Sequence, residues 1–394
     1  MAIDRNRGTS RSARARAIRP ILALLALPAC AVFAPANDEA LHPDQACSGA
    51  LGDEVTYDVE FAAVVTPPHG ARVLEVWLPL PPSDGVQQVT TSELASYPIV
   101  VEPRIAAEPL YGNRFAYFEF ERPAGAQVIR HHFRVRVREV RWSVDPARVR
   151  DVEEWPASFA PYLKPVAAAA EDADYGAIVE TLGGPGTSQP ERLFTAMDWI
   201  DANLTYDHVQ ASLQASADHA LSARRGHCSD YHGLCQTFGR SLGTPTRVTY
   251  GIHLFPKNSP SHCKFEAFLA PYGWVSFDLS ETQKLITGIA NDASLSSAEK
   301  ARWTATARRR LKSGFRDNTW MLWTRGTHYD LAPKASRPVA VVRTIYAEAD
   351  GEPLPDPDPA NGAKREFGWM TVHKYTPSRP VADPFEDRDA LASW

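Results

Sequence analysis

Residues 228–278 constrain the fold more than any other part of the chain. Their first part has apolar residues at helical spacing and ends in the stop signal Gly243-Thr244-Pro245. Three strand-like runs then follow in quick succession, over residues 248–254, 262–269 and 274–278. Only a short turn separates the last two runs, so they are expected to form an antiparallel hairpin. A helix followed by an antiparallel sheet predicts the α+β class.

Three chemically reactive side chains fall at the ends of these elements. Cys228 opens the helix, whose N-terminus carries partial positive charge and free N–H groups that lower a thiol pKa. His262 stands near the start of one hairpin strand and Asp278 near the end of the other, so the two side chains can lie side by side. A thiol, a base and a carboxylate that orients the base are the parts that nucleophilic catalysis by cysteine requires.

Four short motifs in this region resemble those of the transglutaminase-like superfamily. In chain order they are Arg225-Gly226-His227-Cys228-Ser229-Asp230, Gly243-Thr244-Pro245-Thr246-Arg247-Val248, Ser261-His262-Cys263-Lys264-Phe265-Glu266 and Gly273-Trp274-Val275-Ser276-Phe277-Asp278. The resemblance covers about residues 190–285 and implies a papain-like cysteine-enzyme core. It implies Cys228 as the nucleophile, His262 as the base and Asp278 as the residue that orients the base.

The motifs depart from the family after the base. Cys263 and Lys264 occupy positions where family members often have an aromatic residue or Thr. The motifs also leave the oxyanion hole incomplete, and Tyr206 and the backbone N–H of Cys228 are the candidates for it. The superfamily includes acyl transferases, amidases, peptidases and members without activity, so the resemblance leaves the substrate open.

The flanking segments predict a multi-part organisation. Residues 53–145 contain period-two runs separated by Pro- and Gly-containing turns, which predicts an N-terminal β-sandwich. Residues 146–295 are expected to form the papain-like core. Residues 296–394 are expected to add a basic helix and a β-hairpin, with hairpin strands over residues 338–347 and 367–375.

The first thirty residues are typical of an export signal. Six arginines and one acid in residues 1–19 precede a short apolar run, which predicts a signal peptide over residues 1–30. Leu27-Pro28-Ala29-Cys30 resembles a lipobox, so Cys30 is the candidate lipidation site and residues 31–52 the tether. The rival cut, after Ala34-Pro35-Ala36, would release an unanchored protein. We expect a protein of the periplasm or cell envelope that contacts the membrane through a lipid anchor only.

Charge and missing motifs exclude several function classes. The chain has 42 basic and 47 acidic residues, and removal of the basic signal leaves it about ten charges negative, which disfavours nucleic acid as a partner. Serine-hydrolase, phosphate-binding and zinc-protease motifs are absent from the sequence. Zinc bound by Cys228, His232 and Cys235, with His262 or Cys263, is a lesser alternative because no close Cys pair occurs. We expect no metal ion or other cofactor.

Two functions are consistent with these features. The favoured one is an exported enzyme that forms an acyl-enzyme at Cys228 from an amide in a protein, a peptide or peptidoglycan. Hydrolysis, as by a peptidase or amidase, is favoured over crosslinking by analogy with the superfamily. The alternative is a non-catalytic envelope protein that binds a peptide or glycan on the same fold.

Overall fold

The computed structural model describes residues 41–165, 175–183, 187–257, 260–356 and 368–394. The predicted signal peptide and Cys30 lie outside these residues. The described strands are β1 (Ala50–Thr66), β2 (Val73–Leu80), β3 (Gln87–Tyr97), β4 (Arg104–Ala107), β5 (Arg114–Glu121), β6 (Gln127–Arg141), β7 (Thr205–Tyr206), β8 (Arg225–Gly226), β9 (Thr246–His253), β10 (Ser261–Leu269), β11 (Gly273–Phe277), β12 (Phe315–Arg316), β13 (Trp320–Arg325), β14 (Tyr346–Ala349), β15 (Glu352–Pro353) and β16 (Gly368–Pro377).

The described helices are α1 (Ala160–Leu163), α2 (Tyr175–Gly183), α3 (Gln189–Asn203), α4 (Ala217–Ala223), α5 (Cys228–Ser241), α6 (Leu279–Asn291) and α7 (Ser297–Ser313). Short 3₁₀ turns lie at Pro146–Arg148, Ala157–Phe159 and Arg388–Ser393. Across the described ranges, no helix is both long and apolar enough to cross a bilayer.

Two antiparallel sheets form an N-terminal β-sandwich. The first sheet runs β12-β6-β1-β16, with β3 also paired to β6, and the second runs β15-β14-β2-β5-β4. Every second side chain of β1 from Val55 to Val65 is buried, as expected for a strand with one face on a core. Phe118 and Phe120 of the second sheet share one apolar cluster with Phe133 of the first.

The C-terminal strands do not form the predicted hairpin. β14 pairs with β2, whereas β16 pairs with β1 in the other sheet. The hairpin prediction was wrong because turn residues between two strands indicate a reversal of the chain. They do not reveal which existing sheet edge each strand extends.

The predicted tether is packed onto the protein where the structure describes it, from residue 41 onward. Trp274 Nε1 donates a hydrogen bond to the Pro43 carbonyl at 2.7 Å, and the Ser48 hydroxyl donates to the Tyr272 carbonyl. β1 begins at Ala50, before the predicted end of the tether. The described part of this polar segment is therefore held on the protein surface by hydrogen bonds and is not a free linker.

The core sheet runs β11-β10-β9-β13 and packs against α5. Leu234 and Phe238 of the helix share an apolar cluster with Phe265 and Phe277 of the sheet. The basic helix predicted over residues 296–312 is α7, which begins after a capping box between Ser296 and Glu299.

Two glycines allow backbones to approach closely in this core. A Cβ atom at Gly251 of β9 would come within 1.8 Å of the Met321 carbonyl oxygen on β13. A Cβ atom at Gly233 of α5 would come within 2.3 Å of the Ala215 carbonyl oxygen. Because Gly251 pairs with His262 across β9 and β10, the first of these contacts helps to place His262.

The sandwich and the core sheet share one apolar interior. Ile252 and Leu254 of the β9 region, together with Met321 and Trp323 of β13, belong to the cluster that fills the sandwich. Phe61 of β1 meets Trp323 edge to face, with 4.9 Å between ring centroids. The described residues from 41 onward accordingly make up one compact unit.

Candidate active site

Cys228 is the first residue of α5 and is 6% exposed. His227 caps the helix, because its Nδ1 accepts a hydrogen bond from the Ser229 N–H at 3.2 Å. Asp230 Oδ2 accepts from the His227 N–H at 3.1 Å and completes a reciprocal capping box. The helix start is thereby fixed, and its partial positive charge lies at the thiol.

The hairpin of β10 and β11 brings His262 and Asp278 together. His262 is the second residue of β10, and Asp278 directly follows β11 and caps α6, where its Oδ1 accepts from the Glu281 N–H at 3.1 Å. His262 Nε2 lies 2.8 Å from Asp278 Oδ2. Because Asp278 accepts the Nε2 proton, Nδ1 is the nitrogen left for the thiol.

A buried lysine binds the same carboxylate. Lys264 Nζ lies 2.7 Å from Asp278 Oδ2 and 2.9 Å from Asp317 Oδ2, and all three side chains are at most 2% exposed. Asp317 is held in turn by Thr319, whose backbone N–H and hydroxyl donate to Asp317 Oδ1 at 3.1 and 2.6 Å. The carboxylate of Asp278 thus has both His262 and Lys264 on one oxygen.

A second set of polar contacts, through His232 and Cys263, leads to the Cys228 thiol. His232 Nε2 accepts from the Leu279 N–H at 3.2 Å, so its proton is on Nδ1, which lies 3.4 Å from Cys263 Sγ. Cys263 packs against Cys228 in one small cluster and lowers the pKa of its thiol. His232 therefore donates to Cys263, and the Cys263 thiol in turn faces the Cys228 thiolate as a donor.

These contacts set the charge of each group. The hydrogen bond from Cys263 lowers the pKa of the Cys228 thiol more than burial raises it, and the charges of His227 and His262 lower it further. Burial lowers the pKa of His262, but Asp278 and Cys228 outweigh this effect and raise it to about 10. Burial raises the pKa of Asp278, yet His262 and Lys264 hold it well below its usual value. Between the pKa of Cys228 and that of His262, the pair is a thiolate and an imidazolium.

Residues 177–279, which include Cys228, His262 and Asp278, match the sequence profile of the transglutaminase-like superfamily. The chain carries a transglutaminase-like core. A structure of a provisionally assigned cysteine protease from Cytophaga hutchinsonii aligns with it at a TM-score of 0.58 and 15% identity, over 87% of this chain and 97% of that chain. At this identity the likeness shows the fold alone. It confirms the predicted α+β class, with a papain-like core and an N-terminal β-sandwich.

Two further comparisons give a weaker likeness or cover a smaller part of the chain. The periplasmic domain of TgpA from Pseudomonas aeruginosa aligns at a TM-score of 0.31 and 14% identity, over 58% of this chain and 88% of that chain, a score that establishes no common fold. An uncharacterised protein of Haemophilus influenzae is 25% identical over 173 residues. That match covers 38% of this chain and 44% of the relative, so the chain spans less than half of that protein's length.

Tyr206 lies beside Cys228 in the transglutaminase-like core. β7 and β8 pair in parallel with Tyr206 opposite Gly226, and the Tyr206 ring packs on the Cys228 cluster. Its hydroxyl hydrogen-bonds to His208 Nε2 at 3.2 Å. Burial, followed by the charges of Cys228 and Glu281, raises the pKa of this hydroxyl, so it remains a protonated donor. The structure thus brings the predicted oxyanion residue next to the thiol.

The ligands of the alternative zinc site, Cys228, His232 and Cys235 with His262 or Cys263, do not gather into one set of potential metal ligands in the described part of the chain. Both ring nitrogens of His232 are already used, on the Leu279 N–H and on Cys263. Cys235 lies on the apolar face of α5, where burial raises the pKa of its thiol. The four described cysteines, at positions 47, 228, 235 and 263, are all free thiols.

A different set of potential metal ligands does come together. His253, His262 and Glu281 are buried, and one ligand atom of each lies within 4.8 Å of the others. The two imidazole rings are stacked, with 4.8 Å between centroids and 22° between planes. An imidazole binds a metal ion in the plane of its ring, so two nearly parallel rings do not point to one ion. The set fits a stacked support for His262 better than a metal centre.

A groove of about 790 Å³ opens along α6 of the transglutaminase-like core. Glu281 lines it and lies 3.8 Å from His262 Nδ1, which connects the groove to the site. Its walls carry Lys257 and Lys284 from the core and the C-terminal segment 385–389. The groove therefore lies mainly between α6 and the C-terminal segment.

Sequence reasoning missed several neighbours of His262. Glu281 has a local signal, because Asp278 and Glu281 stand at the spacing of a helix N-cap and its third residue. Lys264 stands two residues after His262, which places both side chains on one strand face. Asp317 and His253 carry no such signal, because only the folded sheet brings their elements to the site.

Proposed function

We propose that this chain is an exported cysteine enzyme of the cell envelope that forms an acyl-enzyme at Cys228 from an amide and transfers the acyl group to water. The observation that carries the proposal is a buried thiol at a helix start, beside an imidazole whose Nε2 lies 2.8 Å from a carboxylate oxygen. This arrangement provides a nucleophile, a proton carrier and a group that orients the carrier.

The reaction follows from the charge state of these groups. The Cys228 thiolate attacks the amide carbon, and the developing oxyanion is stabilised by the Cys228 N–H and the Tyr206 hydroxyl. The His262 imidazolium donates its Nδ1 proton to the leaving amine, the C–N bond breaks and a thioester remains on Cys228. Water then attacks the thioester and gives a proton to His262. Expulsion of the thiolate releases the acid and restores the starting pair.

Asp278 supports both half-reactions without taking a proton. Its pKa is held well below the usual value by His262 and Lys264 against the effect of burial, so it remains a carboxylate when the imidazole is charged. The contact with Nε2 keeps Nδ1 directed at the thiol. In related chemistry this role is worth about four orders of magnitude in turnover.

The substrate is proposed as an amide in a protein, a peptide or peptidoglycan. The groove of about 790 Å³, which Glu281 lines 3.8 Å from His262, is large enough for several residues of an extended chain. Hydrolysis is favoured over crosslinking by analogy with the superfamily whose profile residues 177–279 match. Export, with a lipid anchor at Cys30, rests on the residue pattern of the first thirty positions.

The first test measures the thiol itself. Brief alkylation with iodoacetamide at pH 6, followed by peptide mass spectrometry, should modify Cys228 at least about tenfold faster than Cys47, because only the former is a thiolate there. Burial raises the pKa of Cys47, which makes it an internal reference. Equal rates at the two positions would contradict the proposal.

The second test identifies the substrate and the acceptor. Wild-type protein incubated with a cell-envelope extract and quenched in acid should carry a thioester on Cys228 whose adduct mass identifies the acyl group. Wild-type turnover of that substrate in ¹⁸O-labelled water should place the label in the product acid, whereas an added amine should stay unincorporated. Incorporation of the amine would establish transfer. Binding of extract components that is unchanged in Cys228→Ala protein, without any adduct, would favour the non-catalytic binding protein instead.

A further inference from the structure

Lys264 and Asp317 form an ionic layer behind the His262–Asp278 pair. Lys264 Nζ touches one carboxylate oxygen on each side, at 2.7 Å for Asp278 and 2.9 Å for Asp317. The ammonium group is also 5.3 Å from the Trp320 ring centroid and 5.0 Å from that of Phe385. A fully buried lysine is costly unless its charge is compensated, so this residue is held by the two carboxylates.

The charges of Lys264 and Asp317 affect the protonation of His262. With His262 protonated, two cations, His262 and Lys264, face two anions, Asp278 and Asp317. With His262 neutral, the same buried group carries one net negative charge. Transfer of a proton from Cys228 to His262 leaves the total charge unchanged, but it puts the positive charge beside the Asp278 carboxylate. The negative charge then lies on Cys228, where the helix start stabilises it.

We propose that Lys264 and Asp317 are positioning residues of this site: together they fix Asp278 against His262 and set the charge balance that keeps Cys228 and His262 as a thiolate–imidazolium pair. Neither residue needs to touch the substrate. The inference rests on the proposed function for its catalytic meaning, but its physical content is the protonation of two identified groups.

Other charged and titratable groups face His262 and enter the balance. They are Cys228 and His232 from α5, His253 from β9, Glu281 from α6, Lys257 from the segment after β9, and Arg310 from α7, which acts on Asp278 and Asp317. None of these is changed in the experiment below. A shift between variants therefore reports Lys264 and Asp317 alone.

The experiment follows Cys228 alkylation by iodoacetamide from pH 4 to pH 11 in the full mature protein. The rate has a low-pH step when the thiolate forms and a high-pH step when the imidazolium loses its proton. The variants are Asp317→Asn, Lys264→Met and the double variant. Lys312 and Asp198 form a matched control pair, 2.6 Å apart and 41% and 51% exposed, changed in the same way to Met and Asn.

The three variants should shift the two pH steps of the alkylation rate in different directions. Asp317→Asn removes an anion, so both steps should move to lower pH, the high-pH step by about one unit or more. Lys264→Met removes a cation, so both steps should move to higher pH. The double variant restores the balance, and its high-pH step should return to within about half a unit of the wild-type position. The exposed control pair should shift neither step, because solvent screens it.

Two results would overturn the proposal. One is a high-pH step that stays in place in Asp317→Asn, and the other is a double variant that shifts as far as either single change. If Lys264→Met does not fold, the isosteric Asp317→Asn and the charge-neutral double variant still decide the question. If the wild-type protein itself lacks a low-pH thiolate step, the proposed function fails instead, so the two failures are distinguishable.

Discussion

The pKa of the Cys228 thiol depends on Cys263, the residue after His262, as well as on His262 itself. Cys263 is donor to Cys228 and acceptor from His232, whose burial lowers its pKa to about 4 and keeps it a neutral donor. Burial and the neighbouring Cys228 raise the pKa of Cys263, so this thiol keeps its proton. The position that departs from the family motif therefore supplies a hydrogen bond to the thiolate.

Replacing Cys263 by Ala should raise the pKa of Cys228, because the thiolate loses its strongest stabilising contact. The low-pH step of Cys228 alkylation should move up by about one pH unit or more. Cys235→Ala is the matched control, since Cys235 is a buried cysteine on the apolar face of α5, with its pKa raised by burial. An unchanged profile in Cys263→Ala would show that the helix start and His262 alone set the thiolate.

The three principal side chains could be predicted from sequence for a local reason. Cys228 follows a helix-start signal, and His262 and Asp278 lie on two strands joined by a short turn, so spacing alone brings them near each other. Asp317 and His253 reach the site through β12 and β9, whose partners are decided by the folded sheets. Local patterns carry no information about such contacts.

Among the elements, α5 is positioned by its closest backbone contact. Gly233 lies where α5 passes the Ala215 carbonyl, and the left-handed backbone of Ala215, with φ at 57°, brings this carbonyl against the helix. Backbone cannot rotate away as a flexible side chain can. The place of the helix start, and with it of Cys228, therefore depends on the absence of a side chain at 233.

Gly233→Ala should destabilise the protein by about 1–3 kcal/mol, because the added methyl overpacks a backbone contact. Gly288→Ala is the matched control, since Gly288 is also in a helix interior, on α6, and a methyl added there would have no atom within 4 Å. That change should stabilise by about 0.5–1 kcal/mol. Urea unfolding midpoints of the two variants measure both effects, and equal shifts of the same sign would contradict this account.

The strand β6 places two consecutive histidines in opposite environments. His131 is fully buried and burial lowers its pKa to about 3, whereas His132 is exposed and its hydrogen bond to Asp58 raises its pKa. The unfolded chain protonates His131 near its ordinary value of about 6.5, but the folded chain does not. Stability from a neutral His131 is thus complete above that pH and is lost as the pH falls toward 3.

His131→Met should therefore reduce the acid sensitivity of the fold by up to about 1.4 kcal/mol per pH unit below pH 6.5. The measurement is the free energy of unfolding in urea at pH 7 and pH 5. His132→Met should act in the opposite direction, because its raised pKa contributes stability on the acid side. Parallel pH dependence in both variants would refute the assignment of acid sensitivity to His131.

At the scale of the whole molecule, the described parts of the sandwich and the papain-like core share one apolar interior. β13 belongs to the core sheet, yet Met321 and Trp323 fill the interior of the sandwich. β12, from the segment that follows α7, pairs with β6 of the sandwich. The sequence predicted a sandwich, a core and a C-terminal extension in succession. It could not show this exchange of strands, because the composition of a strand does not specify which strand it pairs with.

Calorimetry of the mature protein should accordingly show one unfolding transition, with the calorimetric enthalpy equal to the van't Hoff enthalpy. A shared apolar interior does not let the sandwich melt while the core persists. Trp323→Ala, which opens the common cluster, should lower the midpoint without splitting the transition. Two separate transitions in the wild-type protein would contradict the single unit.

The pairing of β1 with β16 has a consequence for synthesis. The Thr56 N–H donates to Ser378 Oγ across 322 residues of chain, so the first strand finds its last partner only after translation has passed Pro377. Contacts this far apart in sequence are slow to form. A nascent chain emerging from the ribosome therefore exposes the open edge of β1 throughout elongation. Chaperones that hold chains unfolded would meet this edge first.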